Sequence, residues 1–504
     1  MSKDNFLKNS LILTLVNSTT GILKFIFAII LSKKLGSEGM GLYGLIMPIY
    51  DLFCCLICGG LIAAISKESS IYFSKKDFKN LNKSVKTCLS FVIIWACIIA
   101  LLVFINSNYI GKFIIKDSRS IYSIKAICPA LVFVGLSSIL KGYFYGTEKV
   151  KIPAFIDIFE KTIRITVVVI VINLFSLKEI TKTVTSVYIA LSLGELLSFI
   201  FLYVFYKIER NKKYNFYSYS NKLEGRAQLL FNILLVSIPL CINEFLTTTI
   251  YATSTLITPR RLVSAGIIHS EALSMIGKFS GMSLSIIFFP FIVINSMSIV
   301  LIPDLSKSLY NKDYFSLENR IKEVITISFL IGISTLVVCI SIPNVLGNLF
   351  FNRNDLSQYI KLASLSAPFS YVCASTYSIL NGINKQGILL RNSVLTAIEE
   401  LILIYILTGI PEINILGYGI SLIITSITGV ILNLREIKKI CYLEFSPINL
   451  LIYILVGTLT GYILIVLNNI ITSTFVLKSM FLIITGFTMF FTIITLLTKH
   501  ISNK

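Results

Sequence analysis

The sequence predicts an all-α membrane protein of about fourteen transmembrane helices, and three observations carry that prediction. Mean hydropathy is +0.84, with 55% hydrophobic and only 14% charged residues, against about 25% charged in an average soluble domain. Apolar runs of about 18 residues or more, the length needed to cross a bilayer, recur along the whole chain. The gaps between them alternate in basic content: 67–86 holds six lysines, and the next gap, 106–120, holds three basic residues. Loops rich in lysine and arginine stay in the cytoplasm, so the alternation gives orientation together with class.

Taken in order, the runs fall at 10–32, 41–66, 83–106, 120–145, 154–175, 183–206, 229–257, 271–302, 321–342, 358–382, 389–408, 414–434, 449–467 and 476–498, with ends placed to within about four residues. The first ends at Lys33-Lys34 and lacks the small-x-small site of a cleaved signal peptide, so it reads as a retained span. The run at 271–302 exceeds the ~20 residues a span needs, and a tilt, kink or interfacial extension is expected there. With the N-terminus inside, the cytoplasmic segments collect 28 of the 45 basic residues, among them Lys141, Lys149 and Lys151 and six between 207 and 226. The opposite loops collect 11. An even number of spans with both termini in the cytoplasm follows. The formal net charge of +20 is thus mostly loop charge, which favours anionic lipid headgroups. No loop is long enough for a nucleic-acid module.

The longest polar connection, 207–228, divides the first twelve runs into two sets of six. The expected organisation is an N-terminal six-helix lobe (1–206), a basic cytoplasmic linker (207–228), a second six-helix lobe (229–440) and two additional helices (441–504). Ser138-Ile139-Leu140-Lys141-Gly142 matches Ser378-Ile379-Leu380-Asn381-Gly382, Pro129 matches Pro368, and Asp157 and Glu160 match Thr396 and Glu399, at separations of 239–240 residues. Repeats of the same topology imply a pseudo-two-fold axis along the membrane normal, with a central cavity between lobes.

Enzymatic chemistry finds little support. Gly39-x-Gly41-x-x-Gly44 matches the dinucleotide fingerprint in letters but lies between two spans rather than in a βαβ unit, so close helix packing is the better account. Gly59, Gly60, Ala63 and Ala64 form a further small-residue face. Gly277-Lys278 lacks the remaining glycines of a phosphate loop, and His269 and His500 have no metal-ligand spacing. Cys54, Cys55 and Cys58 share one span, and Cys55-x-x-Cys58 has no second ligand pair, so these thiols read as packing. No metal and no cofactor is expected.

Charges inside spans are the informative residues, because each is costly unless it meets a partner or a wet cavity. Lys24 lies deep in the first run with no carboxylate three or four residues away, and Asp51 lies mid-way along the second. The fifth run carries Asp157, Glu160, Lys161 and Arg164, in which Asp157–Lys161 and Glu160–Arg164 have i,i+4 spacing. These read either as structural ion pairs or as cavity groups. Glu195, Glu244 and Lys278 follow on the sixth, seventh and eighth runs, and Glu399-Glu400 on the eleventh. Adjacent carboxylates resist joint ionisation, which makes that pair a candidate proton or cation site.

Three segments occur together: Asn5-Phe6-Leu7-Lys8-Asn9-Ser10-Leu11-Ile12-Leu13, Leu35-Gly36-x-Glu38-Gly39-x-Gly41-Leu42-Tyr43, and Ala64-Ile65-Ser66-Lys67. This trio resembles the stage V sporulation protein B branch of the polysaccharide transporter family, within the multidrug/oligosaccharidyl-lipid/polysaccharide exporter superfamily that includes lipid II flippases. The resemblance implies alternating-access translocation of a lipid-linked saccharide, in this branch for spore-cortex peptidoglycan. Lipid II flippases place arginines in their first two spans. Here Lys24 stands in the first, and Met47-Pro48-Ile49-Tyr50-Asp51-Leu52 in the second keeps the proline without an arginine.

The expected function is therefore flipping of an undecaprenyl-diphosphate-linked saccharide across the cytoplasmic membrane, with Lys24, Arg164 and Lys278 as diphosphate contacts. Asp51, Glu160, Glu244, Glu399 and Glu400 are expected as cavity or coupling groups. With no ATP site, the drive would be an H+ or Na+ gradient or the membrane potential. Membrane lipids and cell-wall synthases are the expected partners, and the chain is expected to act as a monomer. A cation-coupled drug exporter, which needs an anionic or aromatic cavity, and a non-transporting scaffold for cell-wall synthesis are the alternatives.

Overall fold

The computed structural model describes residues 3–174, 179–213, 224–443, 446–471 and 474–502, and every regular element among them is helical. In chain order these are α1 (Lys3–Cys58), α2 (Leu61–Ser74), α3 (Phe78–Ile105), the single turn α4 (Ser107–Tyr109), α5 (Ser120–Gly146), α6 (Lys151–Leu174) and α7 (Ile180–Lys213). They continue with α8 (Arg226–Ser264), α9 (His269–Ile276), α10 (Leu284–Ile287), α11 (Phe291–Tyr310), α12 (Tyr314–Ser341) and α13 (Pro343–Phe351). The last six are α14 (Ser357–Ser364), α15 (Ala367–Gly382), α16 (Gln386–Leu407), α17 (Leu416–Ile437), α18 (Pro447–Ile470) and α19 (Phe475–Ser502). Ile110–Ile115 and Gly277–Ser283 are π-helical. The middle of the expected linker, 214–223, lies outside the described residues.

Each apolar run lies on one or more of these helices. Among the described residues, nine helices are long and apolar enough to cross a membrane, or ten if His269–Ile287 and Phe291–Ser298, bent by 60°, form one span. The difference from fourteen has identifiable sources. The first two runs merge into a single stretch, Thr14–Ser74, of 61 residues; fully straight it would measure about 90 Å, some three times the hydrocarbon thickness. The fifth and eleventh runs, on α6 and α16, carry Asp157, Glu160, Lys161 and Arg164, and Arg391, Glu399 and Glu400. The tenth is split between α14 and α15. The eighth run bends, as its length anticipates.

The chain forms two compact units, Met1–Phe27 with Leu42–Leu256, and Ala28–Gly41 with Ile257–Lys504. Their internal packing follows one plan. In the first, α5 packs against α2, α3 and α7, and α6 against α7; in the second, α15 packs against α11, α12 and α17, and α16 against α17. The last two helices lie against α12 around the buried Phe490.

The repeat is visible in the backbone. Asp77 caps α3 by accepting a hydrogen bond from the Asn80 amide, and Asp313 caps α12 in the same way from the Ser316 amide. A side-chain oxygen there satisfies an amide that has no partner within its own helix. Each cap follows a left-handed lysine, Lys76 and Lys312, both at φ 56°. Two further left-handed pairs, Lys116 with Asn352 and Glu148 with Asn384, keep the same spacing of 236 residues (312 less 76). The bounds of α3 and α12 obey it at both ends. This corrects the spacing of 239–240 suggested by the shared words. The error is three or four residues, one helical turn, which leaves a residue on the same face.

Glycine sets the closest helix crossing in the second unit. A Cβ on Gly41 would sit 2.0 Å from the Leu273 carbonyl oxygen, and one on Gly277 would sit 1.9 Å from that of Ser37. Ser274 Oγ donates to Ser37 Oγ across the same crossing at 2.7 Å. Ser37 and Gly41 correspond to Leu273 and Gly277 at the 236-residue spacing, so the crossing is self-complementary. The break in α1 itself is Gly36, at φ 69° and ψ −175°, a region essentially restricted to glycine. The small-residue face at Gly59–Gly60 packs on α8, against Cys241 and Leu240, and it also separates α1 from α2, where one continuous helix was expected.

Candidate functional site

The first unit gathers charge from four helices. On α6, Glu160 and Arg164 are one turn apart and meet at 2.7 Å (Glu160 Oε1 to Arg164 Nη2). From α7, Glu195 approaches the same Nη2 at 3.5 Å. Lys161 Nζ donates to the second Glu160 oxygen at 3.2 Å. Glu160 is buried, and Gly194 on α7 makes room for it: a Cβ at that position would lie 3.0 Å from Glu160 Oε1. The Arg164–Glu160 approach is a charge contact with poor hydrogen-bond alignment, and Arg164 Nε is buried without an acceptor. The guanidinium therefore keeps donor capacity.

Lys24 and Asp51, both on α1, are exposed. Lys24 lies within electrostatic range of Asp51, Glu160, Lys161 and Arg164. Lys24 and Arg164, proposed from sequence as contacts for one anion, thus belong to one cluster, together with Asp51 and Glu160. The aromatic side of the cluster is Tyr43, stacked on Tyr188 at 5.3 Å, with the Tyr188 hydroxyl donating to the Tyr43 carbonyl at 2.8 Å.

Two expectations need correction. Asp157 does not take Lys161; it pairs with Lys141 on α5 at 2.6 Å. Lys141, counted as cytoplasmic loop charge, is a helical residue that balances an acid on the neighbouring helix. Spacing along one helix revealed candidate local partners but carried no information on the adjacent helix. With Lys141 and Lys161 included, four cations (Lys24, Lys141, Lys161, Arg164) face four acids (Asp51, Asp157, Glu160, Glu195), and the cluster is formally neutral.

The other candidates make different contacts. Glu244, exposed on α8, accepts from the Gly60 amide beside Cys55 and Cys241. Lys278 belongs to the second unit, in the π-helical stretch, and is committed to Asp355 at 2.8 Å. Asp355 is also gripped by Arg353 through two hydrogen bonds of 2.8 Å, which, ahead of Lys278, hold its carboxyl well below the usual range. In the same unit Glu399 accepts from Thr428 Oγ1 at 3.0 Å. Glu400, one residue on, points about 100° away around α16. Among the described residues no group of three or more His, Cys, Asp and Glu could hold a metal ion.

The fold is similar to that of solved transporters of the MOP superfamily. Across 97% of the chain it matches a solved lipid II flippase MurJ in an inward closed conformation, with a TM-score of 0.71, 14% identity and 98% of that chain covered. It matches an inward-facing multidrug resistance MATE family transporter over 83% of this chain and 95% of that one, with a TM-score of 0.65 and 13% identity. The chain belongs to the family described as polysaccharide biosynthesis protein, whose profile matches residues 6–309. Among curated relatives, stage V sporulation protein B of Bacillus subtilis (strain 168) is 22% identical over 440 residues, covering 87% of this chain and 85% of its own. Lipid II flippase MurJ of the same organism is 26% identical over 167 residues, covering 32% of this chain and 31% of its own.

Proposed function

We propose that this protein flips an undecaprenyl-diphosphate-linked saccharide, a peptidoglycan precursor for the spore cortex, across the cytoplasmic membrane by alternating access. It would span the membrane fourteen times with both termini in the cytoplasm, and it would make and break no bonds. The observation that carries the reading is the exposed Lys24 inside a span, beside Lys161 and an Arg164 with an unspent donor. A diphosphate only accepts hydrogen bonds and is anionic; a lysine supplies a point charge and an arginine a fork of donors. Charge at this depth is costly without such a use. The lipid tail would remain in the bilayer. Lys278 would join the diphosphate only after leaving Asp355. An H+ or Na+ gradient or the membrane potential would drive the cycle, the latter worth ~2.3 kcal/mol per charge per 100 mV.

The test is native mass spectrometry of the purified protein with an undecaprenyl-diphosphate-linked precursor. Wild type is expected to retain the lipid, Lys24→Arg to retain part of it, and Lys24→Ala to lose it. A protein that binds cationic amphiphiles and no lipid diphosphate would establish the drug-export alternative instead.

A further inference from the structure

In the second unit, two positions that match the charged cluster belong to a set of hydroxyls and one carboxylate, Glu399. At the 236-residue spacing, Tyr377 and Thr396 stand where the first unit has Lys141 and Glu160. Three hydrogen-bonded pairs tie α15, α16 and α17 together: Ser370 with Ser426 at 2.8 Å, Tyr377 with Thr396 at 3.3 Å, and Thr428 with Glu399 at 3.0 Å. All six residues are half-buried. Gly429 keeps them contiguous, since a Cβ there would lie 2.6 Å from Cys373 Sγ and 3.9 Å from the Tyr377 hydroxyl.

The direction of these bonds fixes what the face still offers. Thr396 Oγ1 already donates to the Asn392 carbonyl, so Tyr377 donates to Thr396. Ser426 already donates to the Leu422 carbonyl, so Ser370 donates to Ser426. Thr428 donates to Glu399. The donors are spent, and what remains are lone pairs on Ser370, Tyr377 and the second Glu399 oxygen. Such a face suits a ligand that brings many O–H donors, and it does not suit a phosphate. Half-exposed polar groups within spans also avoid lipid, because hydrocarbon leaves them unsatisfied.

We propose that this face of α15, α16 and α17 binds the saccharide hydroxyls of the lipid-linked substrate. This rests on the function proposed above. The Tyr377 ring offers an apolar platform for the C–H face of a sugar. Ser370 to Tyr377 spans about 10 Å along α15, on the order of a disaccharide. A coordinated cation would instead need several oxygens converging on one point, and here they are spread over separate pairs.

The experiment compares two probes on the full-length protein by native mass spectrometry: undecaprenyl diphosphate, and the same lipid carrying the disaccharide-pentapeptide. Wild type is expected to hold the saccharide-bearing lipid about tenfold more tightly, the value of one or two net hydrogen bonds. Tyr377→Phe with Glu399→Gln is expected to erase that preference and leave the bare lipid unaffected, while Lys24→Ala weakens both probes alike. A preference unchanged in the double variant overturns the saccharide face and leaves the flippase reading standing. Loss of a sodium dependence of binding, with the preference intact, overturns it in favour of a cation site. Failure of wild type to bind either probe overturns the flippase reading, and this proposal with it.

Discussion

Gly41 and Gly44 lie three residues apart on α1, and alanine at the two positions is expected to act with opposite sign. A methyl on Gly41 would meet the Leu273 carbonyl oxygen at 2.0 Å, where a carbon–oxygen contact needs about 3.3 Å. The crossing must therefore open by about 1.3 Å, which forfeits a large part of its dispersion contacts and costs about 3 kcal/mol, the upper range for overpacking. Gly277→Ala meets Ser37 at 1.9 Å and is expected to cost about as much. Because one opening relieves both clashes, the double variant should cost little more than either single one, about 3–4 kcal/mol rather than about 6. Nothing lies within 4 Å of a Cβ on Gly44, so Gly44→Ala should gain about 0.5–1 kcal/mol from backbone entropy. The assay is thermal unfolding in detergent, followed by the exposure of buried thiols such as Cys88, Cys339 and Cys373. A Gly41→Ala protein as stable as wild type, or a fully additive double variant, would refute the shared crossing.

Four further outcomes are expected. Lys24→Ala should abolish transport at normal membrane abundance and Lys24→Arg should preserve part of it, measured as flipping in reconstituted vesicles; a fully active alanine variant removes Lys24 from the site. Arg164→Ala removes the guanidinium between Glu160 and Glu195, so it should lower the unfolding midpoint, and adding Glu195→Gln should restore much of the loss; no rescue would show that Glu195 does not share the guanidinium. Asp355 has a depressed pKa in the folded state, so its contribution is complete above its unfolded value of about 3.9 and lost only as pH falls below that. Asp355→Asn should therefore destabilise equally at pH 6 and pH 8, and a difference between those two values contradicts the assignment. In a cysteine-free background, external thiol reagents should label a cysteine at Ser118 and spare one at Ser220, which lies outside the described residues; strong labelling at Ser220 would overturn the fourteen-span topology.

Helix positions were legible because each apolar run needs a helix to satisfy its backbone in lipid. The splitting of the second run was not, since Gly59 and Gly60 serve equally as a close-packing face and as a break. The repeat was legible in its helical faces and lost by one turn in register, because words on a helix can match at neighbouring turns. Its true spacing came from Lys76, Lys116 and Glu148 and their counterparts, whose left-handed backbone has no signature in lysine or glutamate. In the charged cluster, Glu160 with Arg164 could be read from i,i+4 spacing. Lys141 with Asp157 and Lys278 with Asp355 could not, because each joins separate helices or a helix and a loop far along the chain. The hydroxyl face on α15, α16 and α17 gave no signal at all, as serine and threonine inside spans commonly satisfy themselves on their own helix.

Ala28–Gly41 packs within the second unit although it precedes nearly all of the first in the chain. During synthesis its partners at Leu273 and Gly277 do not yet exist. At a ribosomal pace of about 5–20 residues per second, the ribosome needs roughly ten to fifty seconds to add the intervening 236 residues. For that interval a glycine-bearing stretch of α1 has left the ribosome with its groove empty, held at one end by the Gly36 bend. The second half of the nascent chain must close that crossing, so a chain stopped before Leu273 leaves Gly41 without its packing partner.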